Sequence, residues 1–180
     1  GIFQDSQDVL WLATLKGVVR LYDDKPEIFE ELNNALPERN MIFKMVQDSD
    51  RNFWIPTYGG GILHYDGSEF TRYSVRNGLP SNICWDAVQD NRGDIWIGFD
   101  NGGVSKLSAE RIEIYGTSEG LPGNSIHSIT QDNLGNYWFG HKEDGLSVFN
   151  KHLEKLEKNL NKLPSKQVSV LYSDSKSNVW

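Results

Sequence analysis

The stretch Gln89-Asp90-Asn91-Arg92-Gly93-Asp94-Ile95-Trp96-Ile97-Gly98-Phe99-Asp100-Asn101-Gly102-Gly103-Val104-Ser105-Lys106-Leu107 decides the fold. Asp90-Asn91-Arg92-Gly93 has the composition of a tight turn, with glycine where positive φ is needed. Ile95-Trp96-Ile97-Gly98 follows as a short strand. Asp100-Asn101-Gly102-Gly103 turns the chain again. Val104 to Leu107 then alternates with period two, as a half-buried strand does. Upstream, Asn82 to Gln89 is a β-compatible run. Downstream, Arg111-Ile112-Glu113-Ile114-Tyr115 alternates once more. The segment therefore reads as four short antiparallel strands.

Working outward, the same unit recurs. Trp11, Trp54, Trp96, Trp138 and Trp180 are spaced by 43, 42, 42 and 42 residues. Each lies six residues after an aspartate: Asp5, Asp48, Asp90, Asp132 and Asp174. Gln4, Gln47, Gln89 and Gln131 precede four of these, and Ser173 the fifth. Leu-Pro pairs keep step at Leu36-Pro37, Leu79-Pro80, Leu121-Pro122 and Leu163-Pro164. Several independent series in one register establish an internal repeat. Four strands per repeat of this length mark a β-propeller blade. The reading is an all-β propeller fragment forming a single partial domain over residues 1–180. It has about four four-stranded antiparallel blades and a partial fifth repeat. The beginning at Gly1-Ile2-Phe3 and the end on Trp180 are expected to be cuts in a longer protein. Two segments, Pro26–Leu36 and His152–Leu163, have helix-favouring residues. Repeat register argues for a strand or an irregular outer edge in both.

The composition excludes several classes. The chain has 180 residues, a net charge of −7 and one cysteine, Cys84, so no internal disulfide forms. A spread acidic charge is unlike a nucleic-acid footprint. No apolar run reaches the length of a membrane span, so no membrane contact is expected within the chain. No cofactor motif and no zinc spacing occurs.

Asp90-Asn91-Arg92-Gly93-Asp94-Ile95-Trp96-Ile97-Gly98 followed by Gly102-Gly103-Val104 resembles the two-component regulator propeller repeat. So does Gly120-Leu121-Pro122-Gly123-Asn124-Ser125-Ile126 leading into Gln131-Asp132-Asn133-Leu134-Gly135-Asn136-Tyr137-Trp138-Phe139-Gly140. Pro56 and Ala13 depart from the pattern, replacing the glycine after the second-strand aromatic. The resemblance implies the periplasmic sensor region of a hybrid two-component histidine kinase. Such a region responds to polysaccharide breakdown products and is not itself an enzyme. The kinase would lie outside this chain.

In a four-stranded blade, the loop between the second and third strands shares a rim with the loop joining one blade to the next. That rim gathers Thr57-Tyr58-Gly59, Phe99-Asp100-Asn101 and His141-Lys142-Glu143-Asp144. It also gathers Glu38-Arg39-Asn40, Ser81-Asn82, Asn124-Ser125 and Ser165-Lys166-Gln167. Loops on a rigid scaffold carry recognition. Aromatic faces suit sugar CH patches, and Asn, Asp and charged side chains suit hydroxyls. The candidate ligand-binding residues are Tyr58, Asn82, Trp85, Asp100, Asn101, Asn124, His141 and Lys142, with an oligosaccharide as the expected ligand. Trp85, the one tryptophan off register, is placed to line the central channel or stack on a sugar, against a default of burial in the core. Cys84 reads as a small buried hydrophobe.

Other signals reduce to structure. Arg92-Gly93-Asp94 is a turn. The repeated aspartates cap turn amides, and the acidic set near Asp90 lacks the spacing of a calcium loop. The histidines share no repeat position, so no catalytic triad emerges. Two other functions stay open: a protein-interaction propeller without a small ligand, and a polysaccharide lyase or glycosidase using Asp86 or Asp100. Open propeller edges expose unpaired strand groups, so self-association is expected.

Overall fold

The computed structural model describes residues 1–14, 17–23, 25–36, 41–109, 111–156 and 163–180. Its strands form four antiparallel sheets, each a meander in sequence order. Blade 1 comprises β1 (Ile2–Gln4), β2 (Leu10–Thr14), β3 (Gly17–Tyr22) and β4 (Lys25–Ile28). Blade 2 comprises β5 (Val46–Gln47), β6 (Phe53–Thr57), β7 (Gly61–Tyr65) and β8 (Phe70–Tyr73). Blade 3 comprises β9 (Cys84–Gln89), β10 (Ile95–Phe99), β11 (Val104–Leu107) and β12 (Ile112–Tyr115). Blade 4 comprises β13 (Ile126–Gln131), β14 (Tyr137–His141) and β15 (Leu146–Phe149). A fifth unit begins at an isolated bridge between Ser173 and Val179. The strands expected around Trp96 form in register, with Trp96 opposite Val88 on one side and Lys106 on the other.

The spacing of aspartate and tryptophan has a direct cause. In each copy one carboxylate oxygen accepts two turn amides and the other accepts the indole N–H. Asp90 Oδ1 accepts from the Arg92 and Asp94 amides, and Trp96 Nε1 donates to Asp90 Oδ2 at 2.9 Å. The same indole bond occurs at Asp5–Trp11, Asp48–Trp54, Asp132–Trp138 and Asp174–Trp180. The turn needs a left-handed residue at its fourth position, which Gly93 supplies with φ +89°. Arg51 adopts the same region at +69°.

Glutamine joins the blades. The Gln47, Gln89 and Gln131 side-chain oxygens accept the amides of Ser6, Ser49 and Asn91 in the preceding blade. Blades also approach closely where the motif has glycine. A Cβ on Gly98 would sit 3.0 Å from the Ile126 carbonyl oxygen, and one on Gly140 would sit 2.9 Å from that of Val168. The core lies between blades in three successive layers centred on Trp11 and Phe53, on Trp54 and Phe99, and on Trp96 and Phe139.

One expectation is corrected. Pro26–Leu36 divides into β4 and a short helix, α1 (Glu30–Ala35), instead of remaining a strand or irregular edge. Leu32 is fully buried on this helix, and Phe29 is driven into the core against Trp11 at 5.2 Å between ring centroids. Burial of these two side chains outweighs strand continuity. The fourth sheet has three strands among the described residues, and the place of its fourth strand falls partly outside them. Residues 152–156 make a turn in which Lys155 bridges Phe149 and the Leu156 amide donates to the Val148 carbonyl. The rest of the helix-or-strand question at His152–Leu163, residues 157–162, falls outside the described residues.

Candidate functional site

The β6–β7, β10–β11 and β14–β15 loops do share a rim with the loops between blades. The Gly59 and Gly61 amides donate to the Asn82 carbonyl, and the Gly103 amide to that of Asn124. The Asp100 amide donates to the Ile83 carbonyl and the Lys142 amide to that of Ser125. Glu38, Arg39 and Asn40 of this expected rim lie outside the described residues.

Inside the rim, β9, β13 and the segment leading into β5 place three rings one repeat apart. Phe43, Trp85 and His127 follow each other at intervals of 42 residues. Phe43 and Trp85 stack at 4.8 Å with a 24° interplanar angle, and Trp85 and His127 lie 4.5 Å apart. Trp85 is thus in ring contact with a neighbour from each adjoining blade. Tyr58 meets its edge at 5.7 Å and that of Phe43 at 6.3 Å. A cavity of about 680 Å³ opens on this ladder, lined also by Lys44, Asp86, Ser128 and Gln167. That volume suits a small ligand. Trp85 Nε1 and His127 Nε2 are buried without a hydrogen-bond partner. Such orphaned atoms are costly to bury and concentrate at functional sites.

The cavity is braced by a second series at the same interval. Lys44 Nζ meets Asp86 Oδ1 at 2.6 Å, and Ser128 Oγ donates to Asp86 Oδ2 at 3.2 Å. The Ile129 amide donates to the same oxygen, and the Leu171 amide donates to Ser128 Oγ. Asp86, 2% exposed, is therefore satisfied by the fold.

The expected site residues separate into two groups. Tyr58 meets Trp85 at the ladder, and Asp100 and Lys142 are near enough to act on His127 by charge. Tyr58 is 38% exposed. Burial, then the charge of Lys142, depresses the His127 pKa, while Asp100 opposes the shift. Both charges therefore act on the ladder's third ring. Asn101 sits beside Asp100, its side-chain oxygen accepting from Ser125 Oγ at 3.1 Å. The remaining three serve the scaffold. Asn82 and Asn124 accept the Val75 and Thr117 amides through their side chains. His141 is wholly buried, with Nε2 2.8 Å from Ser147 Oγ, and burial pushes its pKa down to about 4. It packs in the core rather than on the rim.

Sequence reading missed Phe43, Lys44 and His127. The signal was available one period on either side of Trp85 and Asp86, but it lay in position alone, because the residue types differ. Cys84 is buried as expected, and burial raises its thiol pKa to about 12. Among the described residues no His, Cys, Asp and Glu side chains group to hold a metal ion. No described helix is long and apolar enough to cross a membrane.

Comparison with known proteins agrees with this architecture. The extracellular domain of the hybrid two component system BT3049 from B. thetaiotaomicron superposes with a TM-score of 0.82 at 24% identity. That match covers 100% of this chain and 25% of the other. The extracellular domain of BT4673 from the same organism gives 0.82 at 21% identity, covering 99% and 27%. The chain thus spans about a quarter of the length of these domains. Virginiamycin B lyase from Staphylococcus aureus gives 0.79 at 15% identity, covering 100% of this chain and 61% of the other. At these identities the likeness is one of fold. No curated protein matches the chain. The family model described as two component regulator propeller matches residues 78–101 and 120–143, the two stretches with the fullest turn, tryptophan and glycine pattern. The chain carries two-component regulator propeller repeats, folded as propeller blades.

Proposed function

We propose that this chain is an extracytoplasmic sensing segment of a hybrid two-component histidine kinase. It binds an oligosaccharide released from a polysaccharide at the axial mouth of the propeller and has no catalytic role of its own. The observation that carries this reading is the Phe43–Trp85–His127 ladder, with two orphaned ring nitrogens and Tyr58, Asp100 and Lys142 around it. The repeat match and the fold likeness support the sensor class. The extracellular setting of the similar domains supports a periplasmic location.

Chemistry assigns the roles. Trp85 has rings packed against it from both neighbouring blades, so it forms the wall of the cavity instead of presenting a free face. Tyr58 is the exposed aromatic surface on which a sugar ring can lie. Asp100 and Lys142 supply an acceptor and a donor for hydroxyls. Titration of the intact protein with an oligosaccharide panel tests this. Tyr58→Ala and Lys142→Ala should each weaken the best ligand about tenfold, roughly 1.4 kcal/mol. Unchanged affinity in both variants sinks the axial reading.

A further inference from the structure

The space between blades differs from one pair to the next. Between blades 1 and 2 it is filled by aromatics: Phe29 lies against Trp11, Tyr65 and Phe70, and Phe53 meets Trp11 at 5.1 Å. Between blades 3 and 4, Tyr137 meets Trp96 at 4.5 Å, and Phe149 and Leu153 close the remainder to about 90 Å³. Between blades 2 and 3 a groove of about 760 Å³ stays open, sharing no lining residue with the axial cavity.

The sequence explains the difference. Where blade 2 has Phe53, Tyr65 and Phe70, blade 3 has Ile95, Leu107 and Ile112, each 42 residues on. Blade 4 has Tyr137 and Phe149 at the first two positions, again 42 residues on. Of blades 2, 3 and 4, blade 3 is the one with aliphatic side chains at the first two positions, and all three of its residues line the groove. The facing wall is aromatic. Trp54 is held 4.3 Å from His64 and 5.8 Å from Tyr73, and all three border the opening. Asp50, Asn77 and Arg111 stand at its polar margin.

We propose that this groove is a second, independent sugar-binding site, specific for a neutral oligosaccharide. An aromatic wall with mixed donors and acceptors at the mouth is the arrangement that receives a pyranose ring. Its charge excludes acidic sugars. Asp48 and Asp50 border the groove, while the guanidinium of Arg111 is already paired with Glu113. The site goes beyond the axial one and gives the propeller two separate points of contact.

Calorimetry on the intact protein separates the two sites. The probes are xylotriose, cellotriose and a galactose trisaccharide, with a galacturonate trisaccharide as the charged control. In a Tyr58→Ala background, at least one neutral trisaccharide should still bind, and the charged control at least tenfold more weakly. Leu107→Phe combined with Ile112→Phe fills the groove as blade 2 does, and should cut that binding at least tenfold while leaving the melting temperature in place. Tyr73→Ala, which removes part of the wall, should do the same should the filled variant misfold. The groove is overturned when no neutral probe binds in the Tyr58→Ala background, when filling leaves affinity unchanged, or when the charged probe binds equally well. The axial reading fails separately, through unchanged binding in Tyr58→Ala and Lys142→Ala with the groove filled.

Discussion

Asp90 accepts from two backbone amides, the Trp96 indole and the Tyr137 hydroxyl of the next blade. Burial pushes its carboxyl pKa up, but the bonds from Tyr137, Trp96 and the turn amides outweigh that and hold it below the usual range. Asp174 makes the same local bonds, yet its partner Trp180 is 73% exposed. Asp90→Ala should therefore cost roughly 3–4 kcal/mol, because buried donors are stranded, whereas Asp174→Ala should cost about 1 kcal/mol or less. Denaturant titration of the two variants measures the contrast, and equal losses would contradict burial of the donors as its cause. His141 sets an acid limit. Its pKa is about 4 in the fold against an ordinary 6.5, so the unfolded chain binds more protons between those values. Stability from this group is complete above about pH 6.5 and is lost as pH falls toward 4, by roughly 3 kcal/mol. His141→Gln should flatten that part of the stability profile.

At the scale of elements, most of the architecture could be read before any coordinates. The strands around Trp96 sit where alternation and turn residues put them, because each blade repeats the same local rule. The helix α1 was hidden for the same reason. Its residues favour a helix, but register argues for a strand, and the three-dimensional need of Phe29 and Leu32 for a common core decides between them. The axial ladder was half visible. Trp85 stood out by type, while Phe43 and His127 share with it nothing but period and stacking. The role of the glutamines also needed the fold, since each bond spans 40 or 41 residues. Gln89→Ala should remove the acceptor for the Ser49 amide, lower stability by about 1 kcal/mol and speed hydrogen exchange at that amide. Unchanged protection at Ser49 would show that the bond does not couple the blades.

At the scale of the whole chain, the described blades leave apolar side chains open on the first and the last inner segments. Ile2 at one end is 76% exposed, and Val170 and Tyr172 at the other are 75% and 64% exposed. Paired strand edges and covered aromatics are the usual remedy for such surfaces. The chain should therefore self-associate at micromolar concentration. Trp180→Ser combined with Tyr172→Ser should shift it toward monomer in sedimentation. A wild-type monomer at those concentrations would rule out the edges as an interface.

The glutamine bond carries a consequence for how such a protein changes length. The Gln47, Gln89 and Gln131 side chains each link the turn of their own blade to that of the blade before it, and the turn is alike in every copy. Excising or duplicating one whole unit of 42 residues breaks one such handshake and makes an equivalent one. A partial unit leaves a turn ungripped and an indole uncovered. The fold thus counts in integers: it admits new blades as complete copies and penalises fractions of them.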